Sequence, residues 1–137
     1  MKTDVDALFL GEPHSIGHVD VSPDLRHFDS LKFKTFGKFY IGVITNNHDF
    51  GSNIGYDEDS WALAYDGRIF HNSESFDYCE PLKDPSFVVI RLLKSSGELK
   101  FIVNGVDNGV AFKHPIFRTG NLKVKATLRY ESGIAFN

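Results

Sequence analysis

Cys79, the single cysteine of this 137-residue chain, is its most nucleophilic side chain, with His71 or His114 as the base that would activate it. No elbow motif surrounds it and no helix N-terminus precedes it to lower its pKa, so a structural thiol is the preferred reading. Asp57, Glu58 and Asp59, with Asp49 and Asn53 close in sequence, bring together oxygen ligands. A calcium loop sets its oxygens at alternating positions around a glycine pivot, and that spacing is missing. A solvated acidic turn is expected instead. Six histidines are scattered at positions 14, 18, 27, 48, 71 and 114. His14 and His18 are four apart, but Pro13 and Gly17 oppose the helix that would turn both toward one zinc ion. Paired carboxylates for glycoside hydrolysis do not stand out. Lys123, Lys125 and Arg129, joined in sequence by Arg118, make a basic stripe, and such a stripe on a strand face mostly solubilises it. No catalytic residue, metal or cofactor is expected.

The elements that hold these residues are strands. The 12 glycines and 5 prolines cut the chain too often for long helices, and neither of the two longest stretches free of both, 24–36 and 68–80, shows apolar residues at i, i+3, i+4, i+7. From Leu122, the apolar series Leu122, Val124, Ala126, Leu128, Tyr130 alternates with Lys123, Lys125, Thr127, Arg129, which predicts one buried face and one in water. Leu99, Phe101 and Val103 give a second alternating strand, and Leu31–Thr35 a shorter third. The runs 39–44, 61–65 and 87–93 are apolar on both faces and are expected as central strands packed on two sides. Asp57–Ser60 resembles a helix start before Trp61, but Asp66-Gly67 ends the run after barely a turn, so a strand is preferred. Ser95-Ser-Gly97 and Asn104-Gly105 are hairpin signals. Many short strands with frequent turns predict an all-β, antiparallel sandwich or barrel with little or no helix, in one domain spanning 1–137.

Composition removes several function classes. The formal net charge is −3, which advertises no nucleic-acid binding. The longest apolar run, 39–44, is far short of a membrane span. Met1–Asp6 carries two acids where a signal peptide needs an apolar run. One cysteine permits no internal disulfide and removes the cysteine-based zinc frameworks. A soluble, cytoplasmic protein without nucleic-acid or membrane partners is the expectation. The aromatic load of 13 Phe, 5 Tyr and 1 Trp suits a β-rich core.

Two segments carry a family resemblance. Ile54-Gly-Tyr-Asp-Glu-Asp-Ser-Trp-Ala-Leu-Ala-Tyr-Asp-Gly-Arg-Ile-Phe-His-Asn72, followed by Tyr78-Cys-Glu-Pro-Leu82, resembles the middle of a SPRY domain. Gly97-Glu-Leu-Lys-Phe-Ile-Val-Asn-Gly-Val-Asp-Asn-Gly-Val-Ala-Phe112 is similar to the signature of that family: Gly-x-Leu-x-Phe, Asn-Gly, then Gly-x-Ala-Phe. Gly37–Val43 is similar to the family's strand ending in Ile-Gly-Val. The clear match covers about 54–112 and a looser one runs from 31 to the end. Cys79 stands where Gly is usual, and Pro85-Ser86 replaces a Gly-Asp pair. The signature itself is structural: Asn104-Gly105 supplies a reversal with positive φ, and Gly109 is expected to let the chain pass close to its neighbour. Trp61 is expected in the core.

The resemblance implies a bent β-sandwich of the concanavalin-like SPRY type, and a non-enzymatic protein-interaction module that binds peptides or folded partners through loops at one end. Three loops qualify by composition, each setting one aromatic among polar residues: 45–53 with Phe50, 71–77 with Phe76, and 113–120 with Phe117. Asn46, Asn47, His48, Asp49 and Phe50 of the first loop are the leading partner contacts, with Phe117 and Arg118 of the third. Alanine at His48, Asp49, Phe50 and Phe117 is expected to weaken binding without unfolding the chain. The alternative for each of the three Phe side chains is to fold back onto the core. Rival functions are a carbohydrate-binding lectin on the same sandwich, a Cys79 hydrolase, and self-association through an uncovered sheet edge. A monomer is otherwise expected.

Overall fold

The computed structural model describes residues 8–10, 16–21 and 29–136. His14, and with it the His14–His18 pair, and His27 lie outside the described residues. The strands are β1 (Leu8–Leu10), β2 (Ile16–Val21), β3 (Ser30–Ile44), β4 (Ser60–Ala64), β5 (Arg68–His71), β6 (Glu74–Asp77), β7 (Ser86–Leu93), β8 (Glu98–Val103), β9 (Val106–Lys113) and β10 (Lys123–Phe136). One 3-10 turn, Pro115–Arg118, interrupts the series. Trp61 lies within a strand, as the Asp66-Gly67 turn requires. The hairpin at 94–97 and the Asn104-Gly105 reversal are both in place, Asn104 and Gly105 with φ of 49° and 82°.

All pairings are antiparallel. The hydrogen-bonded order is β6-β5-β4-β3-β7-β8-β9, with β10 along the other edge of β3 and β1 and β2 on β10. β3 and β10 form the long ribbon on which everything else hangs. The first half of β3 pairs with β7 (Ser30–Thr35) and its second half with β4 (Tyr40–Ile44). Between them the ribbon bends: the β10 register slips between Arg129 and Gly133, opposite Gly37. Gly37 has a φ of +73°, and a Cβ there would stand 2.7 Å from the Ser132 Cα, so only glycine fits the bend. The inward faces then close on one core. Phe33, Phe39, Ile41, Val43, Trp61, Leu63, Ile90, Leu99, Phe101, Val124 and Leu128 are among its members. The result is a bent antiparallel β-sandwich.

A smaller apolar cluster lies on the outward side of β3 and β4. Tyr40, Ile44, Ala62 and Ala64 meet Ile54 of the 45–59 connection, with Tyr65 and Phe70 packed against them. β4 is therefore buried at every position, as its sequence predicts. Three expectations need correction. β7 is not packed on both sides: its burial alternates, and Phe87 and Arg91 face solvent. The polar face of β10 is not in water throughout, since Lys125 and Thr127 are fully buried beneath the 45–59 connection. Gly109 makes no close approach; a Cβ there would meet nothing within 4 Å, and its φ of +89° is the reason for glycine.

The packing sets a contrast that denaturant unfolding measures. Ile90→Ala deletes a fully buried side chain and is expected to cost about 3 kcal/mol. Val106→Ala, on the exposed edge strand β9, should change stability by no more than about 0.5 kcal/mol.

Candidate functional site

The connection from β3 to β4 is built around a buried lysine. The Lys125 ammonium donates to His48 Nε2 at 2.7 Å, to the Phe50 carbonyl at 2.9 Å and to the Ser52 carbonyl at 2.5 Å. Three N–H donors meet three acceptors, which is what an ammonium needs when water is excluded. Because the ammonium only donates, His48 Nε2 must accept, so its Nδ1 carries the ring proton and donates to Asp57 Oδ2 at 2.7 Å. Asp57 Oδ1 accepts from the Ser60 hydroxyl at 2.6 Å and from the Asp59 amide at 3.2 Å. The Phe50 ring lies over the lysine, 4.8 Å from Nζ to the ring centroid. Thr127, next along the same face, accepts from the Ile54 amide at 3.1 Å. The acidic turn is thus engaged with its own chain: Asp57 orders the loop.

Beside this clamp opens a cleft of about 380 Å³, lined by Thr45, Asn47, Glu58, Asp59, Trp61, His71, Asn72, His114 and Ile116. All three loops nominated by composition contribute to it. The β4–β5 hairpin sets His71 opposite Trp61, and their rings stack 4.7 Å apart at 5°. His71 Nδ1 donates to the Ser60 carbonyl at 2.8 Å, which leaves Nε2 as an acceptor. His114 caps the 3-10 turn: its Nδ1 accepts from the Ile116 amide at 3.1 Å, so Nε2 carries the proton. Its ring also packs against Trp61, 5.3 Å between centroids. The carboxylate of Asp59 accepts from the Thr45 hydroxyl at 2.9 Å, while Glu58 is exposed. Among the described residues that line the cleft there are two carboxylates and no Lys or Arg.

The expected contact residues divide. Asn46, Asn47, Asp49 and Phe50 are exposed, and Asn47 lines the cleft with its amide held by the Thr45 hydroxyl. Asp49 caps its own turn, accepting from the Gly51 amide and the Ser52 hydroxyl. His48 is buried and serves the clamp. Phe117 is fully buried against Trp61, its ring meeting the indole at 72° with centroids 4.9 Å apart. It took the core alternative, because the 3-10 turn directs it inward, and it offers no surface. His48 and Phe117 are therefore unsuited to substitutions meant to spare stability. Arg118 is exposed near Gly97 and does not line the cleft. Phe76 lies on edge strand β6, half exposed. Composition does not single out Glu58, Asp59, His71, Asn72 and His114 as contacts; the Asp66-Gly67 turn signals the hairpin that returns the chain toward Trp61, but the register that sets His71 opposite it is one residue off a two-residue loop. Cys79 lies elsewhere, in a pocket with Pro81, Leu82 and Val103, and burial pushes its thiol pKa up, with Glu80 and Asp66 adding to the shift.

The SPRY domain family model matches residues 30–137. A crystal structure of a human SPRY domain superposes with a TM-score of 0.73 over 93% of this chain and 87% of that chain, at 14% identity. The SPRY domain of human HERC1 does so with a TM-score of 0.69 over 93% of this chain and 86% of that chain, at 16% identity. At these identities the likeness is one of fold. No curated protein matches the sequence. Among the described residues, no helix is long and apolar enough to cross a membrane.

The clamp has a pH signature. Burial holds Lys125 below its ordinary value, down to about 8, against the opposing pull of Asp57 and Asp49. The unfolded chain keeps its proton up to the ordinary lysine range, so between about pH 8 and 10 the unfolded state binds more protons and stability rises with pH. Lys125→Met removes this contribution. In urea unfolding, the stability of the wild type relative to Lys125→Met should climb from pH 8 to pH 10; no climb across that window would contradict it.

Proposed function

The chain belongs to the SPRY domain family, whose members commonly serve as protein-interaction modules, and from that premise we propose that residues 1–137 act as one peptide- or protein-binding domain whose partner enters the cleft between the 45–53, 71–77 and 113–120 loops. The observation that carries this reading is the convergence of three loops, distant in sequence, on one recess with donors, acceptors and the imidazole rings of His71 and His114. His114 Nε2 offers a donor, His71 Nε2 an acceptor, and Asn47 and Asn72 offer both. Glu58 and Asp59 favour a partner segment rich in N–H donors or bearing a cation. Binding sets the function, and no group in the cleft is assigned to catalysis. Cys79 has no part in it: its thiol is held toward the protonated form and it does not line the cleft. The role is that of an adaptor working in the cytoplasm.

A sugar ligand is the weaker reading. Lectin sites present an aromatic face for a pyranose ring, whereas Trp61 is only 2% exposed and already stacked by His71. Affinity capture from native lysate, with quantitative comparison of baits, tests the proposal. Glu58→Lys combined with Asn47→Ala changes two exposed side chains and should leave stability within about 0.5 kcal/mol. The pair is expected to lower capture of the partner at least tenfold, roughly 1.4 kcal/mol of binding. Undiminished capture would overturn the cleft as the site. Binding of the wild type to immobilised oligosaccharides, with no protein captured, would replace this reading with the lectin.

A further inference from the structure

We propose that the outward face of β3, β7 and β8 is a second docking surface, one that takes an acidic partner segment carrying a large apolar side chain. Six of the eight residues of β7 are apolar, and only Val88, Ile90 and Leu92 of them reach the core. Phe87, Val89 and Leu93 point the other way, beside Arg91. A strand face that meets water alone carries polar residues. Here the sequence has the composition of a strand covered on both sides, and the chain leaves one side uncovered among the described residues. Phe87 is 37% exposed and forms one wall of a groove of about 400 Å³ with Lys32, Val89, Ile102, Asn104 and Gly105.

The register surrounds this apolar floor with cations. Val89 pairs with Lys32 on one side and Ile102 on the other, Phe87 pairs with Lys34, and Arg91 pairs with Lys100. Asp107 engages Lys100 at 3.0 Å. Among the described residues no salt bridge engages Lys32, Lys34 or Arg91, and the Lys32 ammonium rests over the Phe87 ring, 5.2 Å from its centroid. Arg91 shares the field of Asp107 with Lys100, so Lys32, Lys34, Arg91 and Lys100 against that one carboxylate leave a surplus of three positive charges, which on a chain of net charge −3 makes this face opposite in sign to the molecule as a whole. Its complement is a segment with carboxylates for the rim and one apolar anchor for the groove. A second copy of the chain is a poor occupant. Its exposed Phe76 lies between Glu74 and Asp77, but seating that edge strand in the groove is a heterologous contact that does not close into a dimer.

The probe is a synthetic peptide of glutamates flanking a central Phe-Leu pair, titrated into isotope-labelled protein and followed by amide chemical shifts. Two controls replace the glutamates with lysines or the Phe-Leu pair with serines. Saturable shifts are expected at residues 32–34, 87–91 and 100–102, with each control binding at least tenfold more weakly. Lys32→Glu combined with Arg91→Glu, and separately Val89→Ser, should each weaken binding at least tenfold. Glu58→Lys should leave it unchanged, so the result does not depend on the cleft. Equal binding of the lysine control would overturn the proposal, as would shifts confined to the cleft loops or no binding at millimolar peptide. Concentration-dependent self-association in sedimentation velocity that Lys32→Glu with Arg91→Glu abolishes would assign the face to a second copy instead, and would also overturn it.

Discussion

A lysine ammonium taken out of water governs the loop end of the sandwich at which the cleft lies. Lys125 leaves a strand whose neighbours along the same face are Lys123, which stays exposed, and Thr127, which is buried with it. Burying a charge is tolerable only when every donor is met. The 45–59 connection meets the demand with the His48 ring and two carbonyls, and Asp57 fixes the tautomer that lets His48 accept. The same connection brings Ile54 down onto Tyr40, Ile44 and Ala62, so an apolar contact and a charged one hold it at separate points. With the loop held, Thr45, Asn47, Glu58 and Asp59 take fixed positions along one wall of the cleft. Order in a long loop costs conformational entropy, and here it is spent before any partner arrives.

Most of the fold was legible because it rests on local rules. Asn104-Gly105 and the 95–97 turn announce their hairpins, and the alternation of Leu99, Phe101 and Val103 names the buried face correctly. The Gly-x-Leu-x-Phe and Gly-x-Ala-Phe run placed the chain in its family. What escaped depends on contacts between distant segments. Period-2 alternation says which side of a strand is polar, and it cannot say that residues 48–54 will cover Lys125, more than seventy positions away. Alternation fails at β7 for the mirror-image reason: an apolar outward face has the pattern of a covered one. The choice between surface and core for Phe117 is not legible in the sequence, because a four-residue 3-10 turn inside a polar loop decides its direction and nothing periodic marks such a turn. Three loops were nominated by composition; that they share a cleft follows from register, which sets His71 beside Trp61 and brings His114 over both.

The charges divide the surface into two kinds of ground. Among the described residues, carboxylates without accompanying Lys or Arg line the cleft, and a surplus of cations rims the apolar groove of β7. Neither arrangement adds much to stability, since exposed like charges contribute little or oppose folding. Both suit recognition, in which complementary potential selects the partner and an apolar anchor holds it. The core aromatics, Phe33, Phe101 and Trp61 among them, make the sandwich rigid enough to present both surfaces.

That the Lys125 contacts hold the 45–59 connection in place is tested most directly by amide hydrogen exchange on the wild type and Lys125→Met. Protection at Ser52, Ile54 and Gly55 should fall at least tenfold in the variant, while the amides of Phe101 and Leu63 in the core strands keep their wild-type rates. Unchanged protection across residues 48–55 would show that the loop is ordered by something else and would contradict the claim.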